Sequence, residues 1–372
     1  MNAALTATKN WFLQSLSAWN RFWFSPTAPH TLAAIRVLTG VMLFYTHLVW
    51  ALDLSAFLGP NSWISADMAG QVTRSAYTFS HLDYISTPTL LWICHIGALV
   101  VFALFTVGYK TRVMAVLSWL LALSYCHRLS GALFGLDQVN VMLAMYLMLG
   151  PCGAVFSVDR WLEKRKGASG ISESTSANLA IRLIQIHLCV IYLFGGIGKM
   201  RGEFWWDGSA VWFSVANYEY QSLDATWLGF SPILIAVMTH LTVFWETFYA
   251  VLVWPKLTRP VVLAMALIVH GGICLFLGMI TFGTAMIIAN VAFVDPRTID
   301  GLVKWAGSRV GLVIGPSSVG PSSVGPSSVG AVQGGGVAAA VASVASAGAV
   351  VTAGSGPSDS GVLQQPRRRR KS

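Results

Sequence analysis

The chain is poor in charge: only 10% of its 372 residues are Asp, Glu, Lys or Arg, where soluble proteins average roughly 25%. With 55% hydrophobic residues, a water-soluble fold would lack the polar side chains to cover its own surface. Cysteine is scarce as well. The five thiols (Cys94, Cys126, Cys152, Cys189 and Cys274) lie within or beside apolar blocks, with no CxxC pair and no ligand spacing, which argues against a disulfide framework or a structural metal and for small apolar side chains. The eight histidines show no metal spacing either, so no metal is expected. The formal charge of +9 is spread over loops apart from one terminal cluster, a distribution that suits membrane orientation and not nucleic acid. No cleavable leader is visible, because the first apolar block starts near Thr31 and already has spanning length.

What the sequence has in abundance is apolar blocks of about 18 to 24 residues, the length that crosses a bilayer core. The expectation is an all-α, polytopic transmembrane bundle. Its spans are read at 31–52, 88–109, 112–128, 135–153, 178–199, 231–254, 258–278 and a shorter 279–295, eight in all, with only Gly278 and Met279 to separate the last two. Ahead of them, residues 1–30 carry a helix that puts Phe12, Leu16, Trp19 and Trp23 on one side and stops before Pro26, the pattern of an amphipathic helix lying in the membrane interface.

With the N-terminus cytoplasmic, Lys9, Arg21, Lys110, Arg112, Arg160, Lys164, Arg165, Lys166, Lys256 and Arg259 fall inside, and only Arg74, Arg128, Lys199 and Arg201 fall outside, as the positive-inside rule requires. The chain is therefore expected in the inner membrane of a bacterial cell with both termini cytoplasmic. Two outer loops, 53–87 and 200–230, are long enough to roof a cavity, the second through Phe204, Trp205, Trp206 and Trp212. The membrane domain is taken to end near 297. Residues 298–372, with the repeat GPSSVGPSSVGPSSV and the ending PRRRRKS, read as a low-complexity, disordered tail, although 336–352 is apolar enough to raise the question of a weak ninth span.

Ionisable groups at membrane depth are costly, so each is a candidate for function. On helix 178–199, Arg182, Gln185, Cys189, Tyr192, Gly196 and Lys199 make one stripe; Thr239, Thr242, Glu246 and Tyr249 make another on 231–254. Lys199 reads either as a desolvated general base or as a helix-end lysine snorkelling to the headgroups. Glu246 and His270 read as site residues or as a hydrogen-bonded pair tying helices together, Asp137 and Asn140 as polar site residues or as helix-end caps, and Arg36 and Arg182 as anchors near the inner helix ends.

The run IYLFGGIGKMRGEFWW (191–206) followed by DGSAVWFS resembles the membrane domain shared by vitamin-K-dependent gamma-carboxylases and their bacterial relatives, the horizontally transferred transmembrane domain. TLAAIRVLTGVMLF (31–44), GLDQVNVMLAMYLMLGPCGAVFSVDRW (135–161), VFWETFYAVLVWPKLTRP (243–260) and HGGICLFLGMITFG (270–283) fit the same pattern in order, over roughly residues 10 to 297. The resemblance implies Lys199 as the base that deprotonates reduced vitamin K or menaquinol on the extracytoplasmic side, with Glu246 and His270 beside the quinol and Asp137, Asn140, Tyr192, Trp205 and Trp206 as binding residues. It also implies oxygenation of the quinol to an epoxide, coupled to carboxylation of a peptide or small-molecule substrate. Gly198 stands where the vertebrate carboxylases carry a second lysine, and the low-complexity tail stands where they carry a β-rich substrate region. The competing expectation is a non-catalytic scaffold, or a carrier of a lipid-like molecule, in which the polar stripes only join helices.

Overall fold

A computed structural model describes residues 2–73 and 78–309, and these are helical throughout, with one isolated antiparallel bridge between Thr27 and Ser174. An N-terminal helix, α1 (Asn2–Phe24), precedes α2 (His30–Trp50). The first long loop folds into two short helices, α3 (Leu54–Leu58) and α4 (Ala66–Thr73). Then come α5 (Pro88–Val107), α6 (Thr111–Arg128), α7 (Gly135–Leu147), the short α8 (Val158–Arg165) and the long α9 (Thr175–Lys199). The aromatic loop holds α10 (Glu203–Trp206) and α11 (Ala210–Val215), and the chain continues through α12 (Pro232–Leu252), α13 (Arg259–Phe276), α14 (Ile280–Asn290) and α15 (Pro296–Arg309).

Five of these segments are long and apolar enough to cross a membrane: His30–Leu58, Pro88–Val107, Thr175–Lys199, Pro232–Leu252 and Arg259–Phe276. Helices also occupy the other three expected spans, but α7 and α14 are shorter than read from sequence. The helix expected over 135–153 stops at Leu147, where a run of turns carries Gly150, Pro151 and Gly153. A Cβ on Gly150 would press on Leu32, Ala180 and the Ser176 carbonyl, so the chain leaves the helix where three elements come closest. The break expected near Gly278 is present: that residue takes the left-handed φ of +66° between α13 and α14.

Two groups of helices pack together. One is α2, α5, α6 and α7; the other is α9, α12, α13 and α14, with α14 and α7 at the seam. Outward, Ile233, Val237, Leu241, Phe244, Phe248 and Val251 form an exposed apolar stripe along α12. In water, leaving each such side chain uncovered would forgo roughly 1.5–3 kcal/mol, whereas in a bilayer the stripe meets acyl chains.

Inward, Arg36 is fully buried and donates through Nη2 to the Phe156 carbonyl, so it anchors protein loops and not headgroups. Beside it, Asp159 accepts from Lys110 N at 2.8 Å, Thr111 N at 2.7 Å and Thr111 Oγ1 at 2.7 Å, stapling the α5–α6 turn to α8. Partial burial pushes the Asp159 carboxyl up, but those Thr111 and Lys110 hydrogen bonds, with Arg36 nearby, outweigh it and hold the group below the usual carboxylate range. A depressed folded-state pKa contributes stability that is present above the unfolded value of about 3.9 and is lost as pH falls through the folded value. Asp159→Asn should therefore lower stability at pH 7 by about 1–3 kcal/mol, and the gap between variant and wild type should narrow below about pH 4. Thermal melts in detergent across pH measure this; an unchanged gap at low pH counts against the staple.

Arg182 also proves to be an anchor. Its Nε donates to the Phe22 carbonyl at 3.2 Å and its guanidinium lies over the Phe22 ring, while Asn178 Nδ2 donates to the Phe22 and Trp23 carbonyls at 2.8 and 2.9 Å. These contacts hold the C-terminal end of α1, leaving Trp11, Phe12, Leu16 and Trp19 exposed. The first residues of the tail expected from residue 298 are part of a helix instead. Pro296–Arg309 is helical, opened by Asp295, whose Oδ1 accepts from Arg297 N at 2.8 Å, and it packs on α2 through buried Ile299 and Asp300. The remainder of the expected tail, from residue 310 to the end, lies outside the described residues.

Candidate active site

The two polar stripes meet where α9 crosses α12. Gly196 makes the crossing possible: a Cβ there would lie 2.7 Å from Thr247 N and 2.9 Å from Thr247 Cα. With the backbones that close, Tyr192 on α9 stacks on Tyr249 of α12, ring centroids 4.0 Å apart. One turn on, Lys199 Nζ sits 2.6 Å from Glu246 Oε2. The Glu246 side chain is 10% exposed and that of Lys199 28%, with the ammonium 5.4 Å from the Trp205 ring centroid. Gly195 leaves room for the pair, because a Cβ there would stand 3.3 Å from Glu246 Oε2.

Behind the pair runs a buried chain whose direction follows from its partners. Tyr249 Oη donates to Asn290 Oδ1 at 2.6 Å, which turns the Asn290 amide so that Nδ2 donates to Tyr192 Oη at 2.8 Å and to the Met286 carbonyl at 2.9 Å. Tyr192 thus keeps its own proton for His270 Nε2, 2.7 Å away. A neutral His270 that accepts at Nε2 carries its hydrogen on Nδ1, and that buried Nδ1 has no partner among the described residues. The cluster therefore holds one ion pair, Lys199 with Glu246, and one histidine tied through Tyr192 to the buried chain.

Six of the eight residues singled out from sequence lie in or beside this cluster: Lys199, Glu246, His270, Tyr192, Trp205 and, at its edge, Trp206, which is exposed and donates through Nε1 to the Met200 carbonyl at 2.6 Å. Glu246 and His270 do not pair with each other; each has its own partner on α9. Asp137 and Asn140 lie elsewhere. Asp137 accepts from Phe134 N at 2.9 Å as a helix cap, and both residues line a cavity with His47 and Tyr125. Asn290 was not singled out, although it is the lone amide in the apolar run ITFGTAMIIANVAF, and in a membrane that isolation is itself a signal.

The aromatic loop folds on its own small core of Val215, Ala225, Leu228 and Ile235, against Phe276 and Leu277. Asp207 and Asp224 open its turns. Hydrogen bonds from the hydroxyl and N–H of Ser209 and of Thr226 hold their carboxyls below the usual range.

A helical fold with spanning apolar segments, an outward apolar stripe and the Lys199–Glu246 ion pair held between two of those segments defines a multi-pass integral membrane protein. Among curated proteins the chain is similar to the Uncharacterized protein YitO of Bacillus subtilis (strain 168), at 21% identity over 259 residues, which cover 68% of this chain and 80% of that protein. No family model and no solved structure matches.

Proposed function

We propose that the chain is a gamma-carboxylase-like membrane enzyme in which the Lys199–Glu246 pair takes a proton from a bound quinol. The observation that carries this reading is the 2.6 Å contact between Lys199 Nζ and Glu246 Oε2 where α9 crosses α12. In so short a contact the proton can pass from nitrogen to oxygen, and a site shielded from water penalises the resulting neutral pair less than bulk solvent does. The freed amine of Lys199 is then the base that accepts the hydroxyl proton. His270, held in its Nδ1–H form through Tyr192, Asn290 and Tyr249, donates to the oxygen on which charge develops. Reduced vitamin K or menaquinol, when bound, would supply the oxygenation chemistry that ends in an epoxide. Trp205 and Trp206 offer aromatic faces to flank such a ring.

The same reading takes eight spans, with α6, α7 and α14 completing the five longer ones. It places α1 in the interface through its exposed tryptophans, both termini in the cytoplasm of a bacterial cell and the Lys199 end of α9 on the extracytoplasmic side. A peptide or small molecule would be the carboxylated partner.

One observation favours a second reading, a non-catalytic scaffold or a carrier of a lipid-like molecule: Glu246 already neutralises Lys199, so the pair has a role in joining α9 to α12 without any chemistry. Purified protein in detergent, given reduced menaquinone or vitamin K, oxygen and bicarbonate, should form quinone epoxide, and replacing Lys199 together with Glu246 by apolar residues, which leaves no stranded charge, should abolish it in protein that still folds. No epoxide from the wild type, in conditions where a known carboxylase works, selects the scaffold.

A further inference from the structure

The two groups of helices repeat one another. In the first, α2 packs on α5, α5 on α6, α6 on α7 and α7 back on α2; in the second, α9, α12, α13 and α14 close the same ring in the same order. A long loop with two short helices follows the first helix of each ring, α3 and α4 in one, α10 and α11 in the other. Between the rings the main helix contacts come in mates: α14 lies on α2 as α7 lies on α9, while α2 meets α9 and α7 meets α14. Reciprocal contacts of this kind are what a two-fold axis produces.

The residues agree with that order. Ala34, Ile35 and Arg36 on α2 recur as Ala180, Ile181 and Arg182 on α9. Both α5 and α12 open with a proline, Pro88 and Pro232, and Lys110, Thr111 and Arg112 at the start of α6 recur as Lys256, Thr258 and Arg259 at the start of α13. Burial keeps the same registers. On α5, Leu91, His95, Phe102 and Phe105 are buried, and so are their matches Ile235, Thr239, Glu246 and Tyr249 on α12. On α7, Met142, Leu143 and Ala144 are buried, and so are Ile288, Ala289 and Asn290 on α14. Where the two rings begin, Thr27 and Ser174 exchange backbone hydrogen bonds of 3.2 and 2.9 Å as an antiparallel pair. Such a pair is itself two-fold symmetric, and these two residues stand within one position of being matches. Helical period alone would align one face, but not the ring order, the prolines, the basic turns and the reciprocal contacts together.

We infer that the bundle is two copies of one four-helix unit docked about a two-fold axis, the first copy serving as a partner that carries no counterpart of the site in the second. Both copies enter the bundle at the same end, as in parallel repeats related by an axis along the membrane normal. Matched to Tyr192, Glu246, Tyr249, His270 and Asn290 are Thr46, Phe102, Phe105, Ala122 and Ala144, all buried. The first ring thus closes without a charged or ionisable side chain at any of these places, so this packing does not require one. The first copy's own polar cluster is no echo of the site either: His47, His95 and Tyr125 match Leu193, Thr239 and Ile273. That the second copy alone does chemistry rests on the enzyme reading above; the repeat does not.

An experimental structure of the full chain in detergent tests the repeat. Rotating α2, α5, α6 and α7 onto α9, α12, α13 and α14 should bring Arg36 onto Arg182, Phe102 onto Glu246 and Ala144 onto Asn290. A best fit that slides any helix by a turn, or takes the helices in another order, overturns it. Spin labels on single cysteines give a second measurement in lipid nanodiscs: the exposed matches Ile93 and Val237 should report equal depth, as should Val107 and Val251. Unequal depth within a pair overturns the common orientation. Epoxide formation tests the division between the copies. Glu246→Gln should lose it and Phe102→Leu, at the matched place, should keep it; loss in Phe102→Leu protein that melts like wild type would give the first copy a share in the site and overturn the division. A wild type without epoxide activity sinks the enzyme reading and the division with it, while superposition and depth still decide the repeat.

Discussion

Lys199→Met should unfold at markedly lower temperature than wild type, and adding Glu246→Leu should restore most of the loss without restoring any quinol oxidation. The first substitution strands a carboxylate inside the bundle, 10% exposed and with no other cation in the hydrogen-bonded cluster. Breaking a buried pair by removing one partner costs about 3–5 kcal/mol, most of it the desolvation of the charge left behind. Lys199 is itself part exposed, so the lower end, about 3 kcal/mol, is expected. Replacing both partners with apolar side chains removes the stranded charge, and such replacements are often neutral or stabilising. Thermal melts in detergent give the stability and epoxide formation gives the activity. Since the proposed proton acceptor is gone in both variants, stability and activity must separate. A double variant as unstable as Lys199→Met sinks the account of the pair, and a double variant that still forms epoxide sinks the account of the base.

Gly196→Leu should be the most damaging single change in the second half of the bundle, costing about 3 kcal/mol or more and reducing folded yield. The Cβ alone would stand 2.5 Å from Thr247 Oγ1 and 2.7 Å from Thr247 N, and two of its three nearest neighbours are backbone that cannot rotate away. The helices would have to separate by more than an ångström, which would pull Tyr192 off Tyr249 and lengthen the Lys199–Glu246 contact one turn away. Gly196→Ala should show the same defect in weaker form, about 1–3 kcal/mol. The neighbouring Gly198 serves as a control: a Cβ there meets nothing within 4 Å, so Gly198→Ala should melt like wild type. Equal melting of Gly196→Leu and wild type would mean that α9 and α12 do not cross at this glycine.

Much of the site was legible because helical spacing is rigid. Tyr192, Gly196 and Lys199 at intervals of four and three must share a face, as must Glu246 and Tyr249, wherever the helices end up. Thr242 fitted the second stripe by the same arithmetic yet lies at the edge of the buried face, its hydroxyl turned back to the Met238 carbonyl at 2.8 Å. Asn140 and Asp137 were legible as polar residues on one helix face but not as belonging to a different cluster, since spacing within one helix is silent about which neighbour it faces. Asn290 went unnoticed because its partners, Tyr192 and Tyr249, stand 98 and 41 residues away in the chain.

The amino-acid sequence by itself determined that this protein is a bundle of apolar helices with a few ionisable groups turned inward, because hydrophobic length and helical period are local properties that a bilayer enforces segment by segment. Only the tertiary structure decided that Lys199 meets Glu246, that His270 meets Tyr192, and that Asp137 and Asn140 belong to a separate cavity. Those pairings depend on which glycines let two backbones approach and on how donors and acceptors from distant helices satisfy one another once water is excluded.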